Sequence, residues 1–192
     1  GYLTTTGGYN TFIGTQVGIS NSTGSSNTYV GYSAGSDIST GVQNSIFGNR
    51  AGDNTGSAIG GSSFFGSFAG FSAVGNSNSV FGSNAGMGGL GAENSIFGAY
   101  SAGATDGSNN VIFGSNIANT ATSLTGNVIL GQGAGSALSS ANNNIIIGQG
   151  SASVLTTGSR NIIIGQDQTF ASSTISNALS IGNIIYGTNL TG

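Results

Sequence analysis

The sequence predicts an all-β fold, a parallel β-solenoid (β-roll) of about eleven coils of roughly 17 residues each. Three observations carry that prediction. A five-residue string, Asn-Ser/Thr-apolar-apolar-Gly, returns along almost the whole chain. Its closing glycines, Gly14, Gly31, Gly48, Gly66, Gly82, Gly98, Gly114, Gly131, Gly148, Gly165 and Gly182, stand 16 to 18 residues apart. The hydrophobic residues, 36% of the chain, keep fixed places within the unit. Self-similarity at a short fixed step belongs to stacked, quasi-one-dimensional folds in which each unit contacts only its neighbours.

The string itself is the first element. Asn10-Thr11-Phe12-Ile13-Gly14, Asn44-Ser45-Ile46-Phe47-Gly48 and Asn161-Ile162-Ile163-Ile164-Gly165 are short, β-rich and bounded by glycine, which reads as a strand. The step is too short for two helices, since helical-hairpin repeats need roughly 33–47 residues. Its Gly, Ser, Asn and Thr are also poor helix formers. A coil of two or three short strands fits, and coils about 4.8 Å apart predict a rod on the order of 50 Å long.

Side chains alternate across a strand, so the residue before the closing glycine and the one three before it share a face. The first of these positions holds Ile13, Val30, Phe47, Phe65, Phe81, Phe97, Phe113, Leu130, Ile147, Ile164 and Ile181. Large and apolar in every copy, it is expected to be the coil's own core. Its companion is Thr or Ser in the first six coils and apolar from Val111 onward, which reads as volume traded at constant fill. The position two before the glycine points the other way. It holds Phe12, Tyr29, Ile46, Phe64, Val80, Ile96, Ile112, Ile129, Ile146 and Ile163, with Ser180 as the exception. Facing outward, such a stripe exceeds what a soluble monomer exposes and predicts a subunit interface. The other reading buries both faces within one coil, with an Ala-Gly arm folded over the second.

The corners come next. Ala34-Gly35, Ala51-Gly52, Ala69-Gly70, Ala85-Gly86 and Ala134-Gly135 follow the closing glycine at one offset, and Ala102-Gly103 reads as the same pair shifted by an insertion. A further glycine stands three before the Asn, as in Gly24 and Gly41, so each coil has about three tight bends. Asn10, Asn27, Asn44, Asn78, Asn94, Asn110, Asn127, Asn144 and Asn161 fill one slot, with Ser62 and Ala178 as departures. Stacked identical amides bond along the axis, so these nine are expected to form a structural ladder.

Composition narrows the function. The 192 residues include 37 glycines, no Pro, Cys, Trp or His, and a net charge of −3. The charged residues are Arg50, Arg160, Asp37, Asp53, Asp106, Asp167 and Glu93. Two arginines argue against nucleic acid and anionic membrane surfaces, which call for basic patches. No apolar run approaches the ~18 residues of a membrane span. Without His, Lys or Cys, the common proton shuttles, amines and thiolates are absent, and the carboxylates sit at unrelated offsets. No catalytic, cofactor or metal residue is therefore proposed from the sequence. Glycine-rich phosphate binding lacks its strand-loop-helix context. The triplets Asn21-Ser22-Thr23 and Asn189-Leu190-Thr191 match a glycosylation acceptor, which is common by chance in such a composition.

The recurring Asn-Ser-Ile-Phe-Gly-x-x-Ala-Gly resembles the head repeats of trimeric autotransporter adhesins, and is similar to repeats in phage tail fibres. The resemblance implies a left-handed β-roll, a homotrimer and adhesion at a cell or virion surface. The step is longer than that family's usual unit, and residues 1–192 show no coiled-coil stalk, neck or membrane-anchor pattern.

The function expected is thus a structural or adhesive segment of an extracellular fibre, a non-enzymatic rod of one repeat domain over residues 1–192. Its expected partners are itself, as a homotrimer or end-to-end filament, and a cell-surface or glycan receptor. The ends fall in mid-pattern without caps, so the coil stack is expected to continue in a longer chain or to pair end to end. The alternative is an ice-binding solenoid, suggested by Thr6, Thr23, Thr40, Thr157 and Thr174 in one column, which Ala58, Val74, Leu90 and Asp106 interrupt. An enzyme on a β-helix lacks any visible site.

Overall fold

Glycine ends each of the eleven parallel strands of the main stack after three residues. The computed structural model describes residues 5–56, 58–103, 107–182 and 184–188. Among these residues there are fourteen three-residue strands and no helix. They are β1 (Thr11–Ile13), β2 (Thr28–Val30), β3 (Ser45–Phe47), β4 (Ser63–Phe65), β5 (Ser79–Phe81), β6 (Ser95–Phe97) and β7 (Val111–Phe113). The remainder are β8 (Ser123–Thr125), β9 (Val128–Leu130), β10 (Ser140–Asn142), β11 (Ile145–Ile147), β12 (Ile162–Ile164), β13 (Leu179–Ile181) and β14 (Ile185–Gly187).

One twelve-stranded sheet runs in chain order from β1 to β14, leaving out β8 and β10, which pair parallel in a second sheet. Every pair of the main sheet is parallel except β13 with β14. Register is uninterrupted. Tyr29 lies between Phe12 and Ile46, and Phe65 between Phe47 and Phe81. The chain is a parallel β-solenoid of eleven parallel rungs and hence about ten turns. Steps of 16, 17 and 18 residues keep the same register because the extra residues are absorbed between strands.

The closing glycines are required twice over. Gly82 has φ +140, and a Cβ there would lie 2.7 Å from the carbonyl of Gly98 in the next coil. The residue before the ladder position is left-handed whatever its type, as in Tyr9, Gln43 and Arg160 (φ 58) and Glu93 (φ 60). A non-glycine residue there costs about 1–2 kcal/mol. The stack offsets it by tying that residue's N–H to the coil before, as in Gln43 to the Ser25 carbonyl at 3.1 Å and Glu93 to Asn76 at 2.9 Å.

The structure inverts the expected faces. Tyr29, Ile46, Phe64, Val80, Ile96, Ile129, Ile146 and Ile163 are wholly buried, Ile112 is 1% exposed, and Phe12 packs partly buried against the same cluster. These ten line the interior of their own coils and form no subunit interface. The expected core column instead points outward, with Ile13 at 58% and Phe113 at 59% exposure. Alternation explains it. The ladder Asn, four before the glycine, is interior, so the residue two before it is interior as well. The six Ser and Thr share the outward face, as hydroxyls in contact with water should.

The arm does fold over the inner column: Ala34, Ala51, Ala69, Ala85 and Ala134 are fully buried, and Ile38, Leu90, Leu138 and Leu155 close a third side. Volume is traded there: Phe64 shares its coil with Ala69 and Ala73, Val80 with Ala85 and Leu90. Nothing is inserted near residue 102. Ser101-Ala102, not Ala102-Gly103, fills the Ala-Gly corner: Ser101 is buried, Ala102 takes φ 53, and Gly86 N–H donates to the Ser101 carbonyl at 2.8 Å.

At the far end the parallel stack stops at β13. Asn183-Ile184-Ile185-Tyr186-Gly187 repeats the string only five residues after Gly182, too soon for another coil. Its strand β14 doubles back, with Ile184 N–H on the Ile181 carbonyl at 2.8 Å, and covers the edge of β13 that was expected to stay open.

Candidate functional site

The described residues contain no group of three or more His, Cys, Asp or Glu. Asp37, Glu93 and Asp167 are exposed on separate coils, and Asp106 lies outside the described residues. Three features are left to consider: the asparagine ladder, the outer sheet face and one irregular corner.

The ladder is a column of saturated amides. Asn27 Nδ2 donates to Asn10 Oδ1 at 3.1 Å and to the Gly41 carbonyl of the next coil at 2.7 Å, while its Oδ1 accepts from Asn44 N at 3.0 Å and Asn44 Nδ2 at 3.2 Å. The pattern recurs at Asn94, Asn110, Asn127 and Asn144. Asn78 joins it through Asn94, and Asn161 donates to Ile175 at 2.8 Å. Ser62 is tied to its neighbours through backbone N–H groups alone, donating its own to Asn44 Oδ1 at 3.0 Å and accepting from Asn78 N at 3.3 Å, and Ala178 ends the column with its N–H on Asn161 Oδ1 at 3.0 Å. Buried, apart from half-buried Asn10 at the first coil, and bonded to one another, these amides leave nothing for a ligand.

The outer face of the main sheet carries two columns, the residues one and three before each closing glycine. In the first, Phe47, Phe65, Phe81, Phe97 and Phe113 stack ring on ring, with centroids 4.7, 4.8, 4.7 and 5.6 Å apart. The sheet spacing dictates those distances. Beside them run Ser45, Ser63, Ser79 and Ser95. The serine column turns aliphatic at β7 and the ring column after it, with Val111 at 46%, Ile145 at 38%, Ile147 at 36% and Ile162 at 38% exposure. The signal for this face was in the sequence: the Ser and Thr residues lie on it.

The irregular corner lies where β3 and β4 end. Arg50, Phe71 and Tyr100 occupy positions whose residue type varies from coil to coil, and the structure brings the first two together. The Arg50 guanidinium lies 5.3 Å from the Phe68 ring and 5.2 Å from Phe71, and its Nε donates to Asp53 Oδ2 at 2.7 Å. Asp53, buried, also accepts from Ser36 Oγ and, at 3.0 Å, from Asn54 N. Tyr100 is exposed in a later coil. The cluster clasps three coils together with groups that occur once each.

Two interior polar groups lack partners among the described residues: both amide atoms of Asn21 and the Tyr29 hydroxyl. Burial pushes the Tyr29 phenol well above its ordinary value, with the Asn44 side chain opposing only in part and not meeting hydrogen-bond geometry. Asn21, fully buried, is closed to glycosylation in the folded chain.

No family model, no curated protein and no solved structure matches this chain.

Proposed function

We propose that this chain is a passive structural and adhesive segment of an extracellular fibre, a rod that holds a surface at a distance and catalyses nothing. The observation that supports it is the use made of the side chains. Every repeated column serves stacking, whether the inner aliphatics, the amide ladder, the corner alanines or the outer ring stack. Among the described residues no group of three or more His, Cys, Asp or Glu could hold a metal ion. The partners in this reading are further copies of the chain and a receptor at a cell or host surface. The corner at Arg50, Phe68 and Phe71, unlike its counterparts in other coils, is the kind of feature that distinguishes one receptor from another.

The test is attachment. Beads carrying the purified chain should bind cultured cells or immobilised glycans above beads carrying an unrelated soluble protein, and negative-stain images should show short rods. Beads that bind nothing across a broad panel would overturn the adhesive part. The ice-binding alternative is weakened by its own column: Thr23 and Thr40 are exposed, but Leu90 is 1% exposed and turned inward. Thermal hysteresis measured on the pure chain separates the two readings.

A further inference from the structure

We infer that the outer face of the main sheet is where copies of this chain associate side by side, parallel and in register, with the phenylalanine column of one copy against the serine and threonine column of the next. This deepens the fibre reading by naming the surface and the partner.

The face calls for a cover. It runs the length of the solenoid and carries a large apolar residue in every parallel row, and Ile13, Val111 and Phe113 are 46–59% exposed on it. Continuous apolar surface of that length is not left in water by soluble monomers. Three residues wide and twelve strands long, it offers about 500 Å² per copy, or about 1,000 Å² in total, which reaches the lower bound of specific interfaces.

Copies of this chain are the occupant that fits. No charged residue stands in either column, so the face has nothing to offer a charged partner. The chain has only Arg50 and Arg160 as cations, too few to hold it to an anionic bilayer. The rows repeat at one sheet spacing over eleven parallel rungs, and a second copy carries the same spacing over the same length.

The rows also choose the orientation. From β3 to β6 each row pairs a large residue with a small one: Ser45 with Phe47, Ser63 with Phe65, Ser79 with Phe81, Ser95 with Phe97. Rotation about an axis along the rod exchanges left and right but keeps the row, so each ring column meets a hydroxyl column and the ridge fills the groove. Antiparallel mates would set ring against ring at β5 to β7, and would match the stepped rows of β3 and β4 with aliphatic rows such as Ile145–Ile147, in which both columns are full. Two or three copies around one axis satisfy the same rule.

The test begins with sedimentation equilibrium at micromolar concentration. The expected mass is two or three times the 18.6 kDa chain. Phe81→Asp and Phe113→Asp should each weaken association at least tenfold with the β circular-dichroism signal retained, while Tyr100→Asp, exposed but outside the sheet, leaves it unchanged. The chain has no cysteine, so disulfide trapping reads register directly. Chains carrying Ser45→Cys, mixed with chains carrying Phe47→Cys and treated with diamide as the oxidant, should give the mixed disulfide. A monomeric wild type, association indifferent to both aspartates, or trapping of Ser45→Cys by Ile145→Cys in place of Phe47→Cys would each overturn the inference. A monomeric rod that still attaches to cells would sink this inference and leave the adhesive reading standing.

Discussion

Replacing Asn127 by alanine tests what holds the coils at their spacing. Its amide is fully buried. Its Nδ2 donates to Asn110 Oδ1 at 3.1 Å and to the Ala141 carbonyl at 2.9 Å, and its Oδ1 accepts from Asn144 N at 3.0 Å and Asn144 Nδ2 at 3.1 Å. Some of these groups have second partners. Asn110 Oδ1 still receives the Asn127 backbone N–H at 3.0 Å, and Asn144 Nδ2 still reaches the Gly158 carbonyl at 3.0 Å. The Asn144 backbone N–H has no replacement, and the Ala141 carbonyl loses the amide that faced it. A buried group left unpaired costs about 1–3 kcal/mol, so Asn127→Ala should cost about 3 kcal/mol. Asn127→Ser should recover about half, because the serine at position 62 still accepts the N–H of the next ladder residue. Urea unfolding followed by circular dichroism gives the total. Since solenoids open in blocks, hydrogen exchange should place the loss at β9 to β11. A cost below about 1 kcal/mol, or no difference between alanine and serine, would refute the ladder as the element that sets coil stability.

Three further outcomes follow from named contacts. Gly82→Ala should cost about 3 kcal/mol or more in thermal unfolding, combining a forbidden φ with a clash on the Gly98 carbonyl; a loss under 1 kcal/mol would show that the coils yield. Tyr29 should stay un-ionised in the native chain at pH values where free tyrosine, near 10.0, titrates. Its folded value is raised, so the stability it confers is complete below pH 10 and falls as the pH climbs above it, where only the unfolded chain loses the proton. Tyr29→Phe should flatten that alkaline slope and leave neutral-pH stability unchanged or about 1 kcal/mol higher, since the hydroxyl has no partner. Arg50→Ala should cost only about 1 kcal/mol, because its side chain is 43% exposed and water screens the bond to Asp53; a loss above 3 kcal/mol would make the clasp a main support of these coils.

Much of the fold is legible in the sequence because its period is set by local chemistry. Glycine at one place in each unit stops a strand, and the steps between Gly14 and Gly182 fix the rung count before any contact is known. The ladder is legible for the same reason: an amide repeated at one height has its own kind as neighbour.

Which face is inside was not decided by repetition alone, because both faces of the strand are apolar. Tyr29 and Val30 are adjacent and both large, yet one is fully buried and the other half-buried on the outside. The closure of the coil makes the choice: the Ala-Gly arm can approach only the side on which the ladder amide already lies, and that side becomes the interior. The Ser101-Ala102 corner and the doubling-back of β14 are tertiary outcomes too, since hydrogen bonds to the preceding coil and strand select them from a sequence that reads equally well one residue shifted or one coil longer. Local residues determined the period and the rungs, and the closing of the chain on itself determined which of two greasy columns meets water.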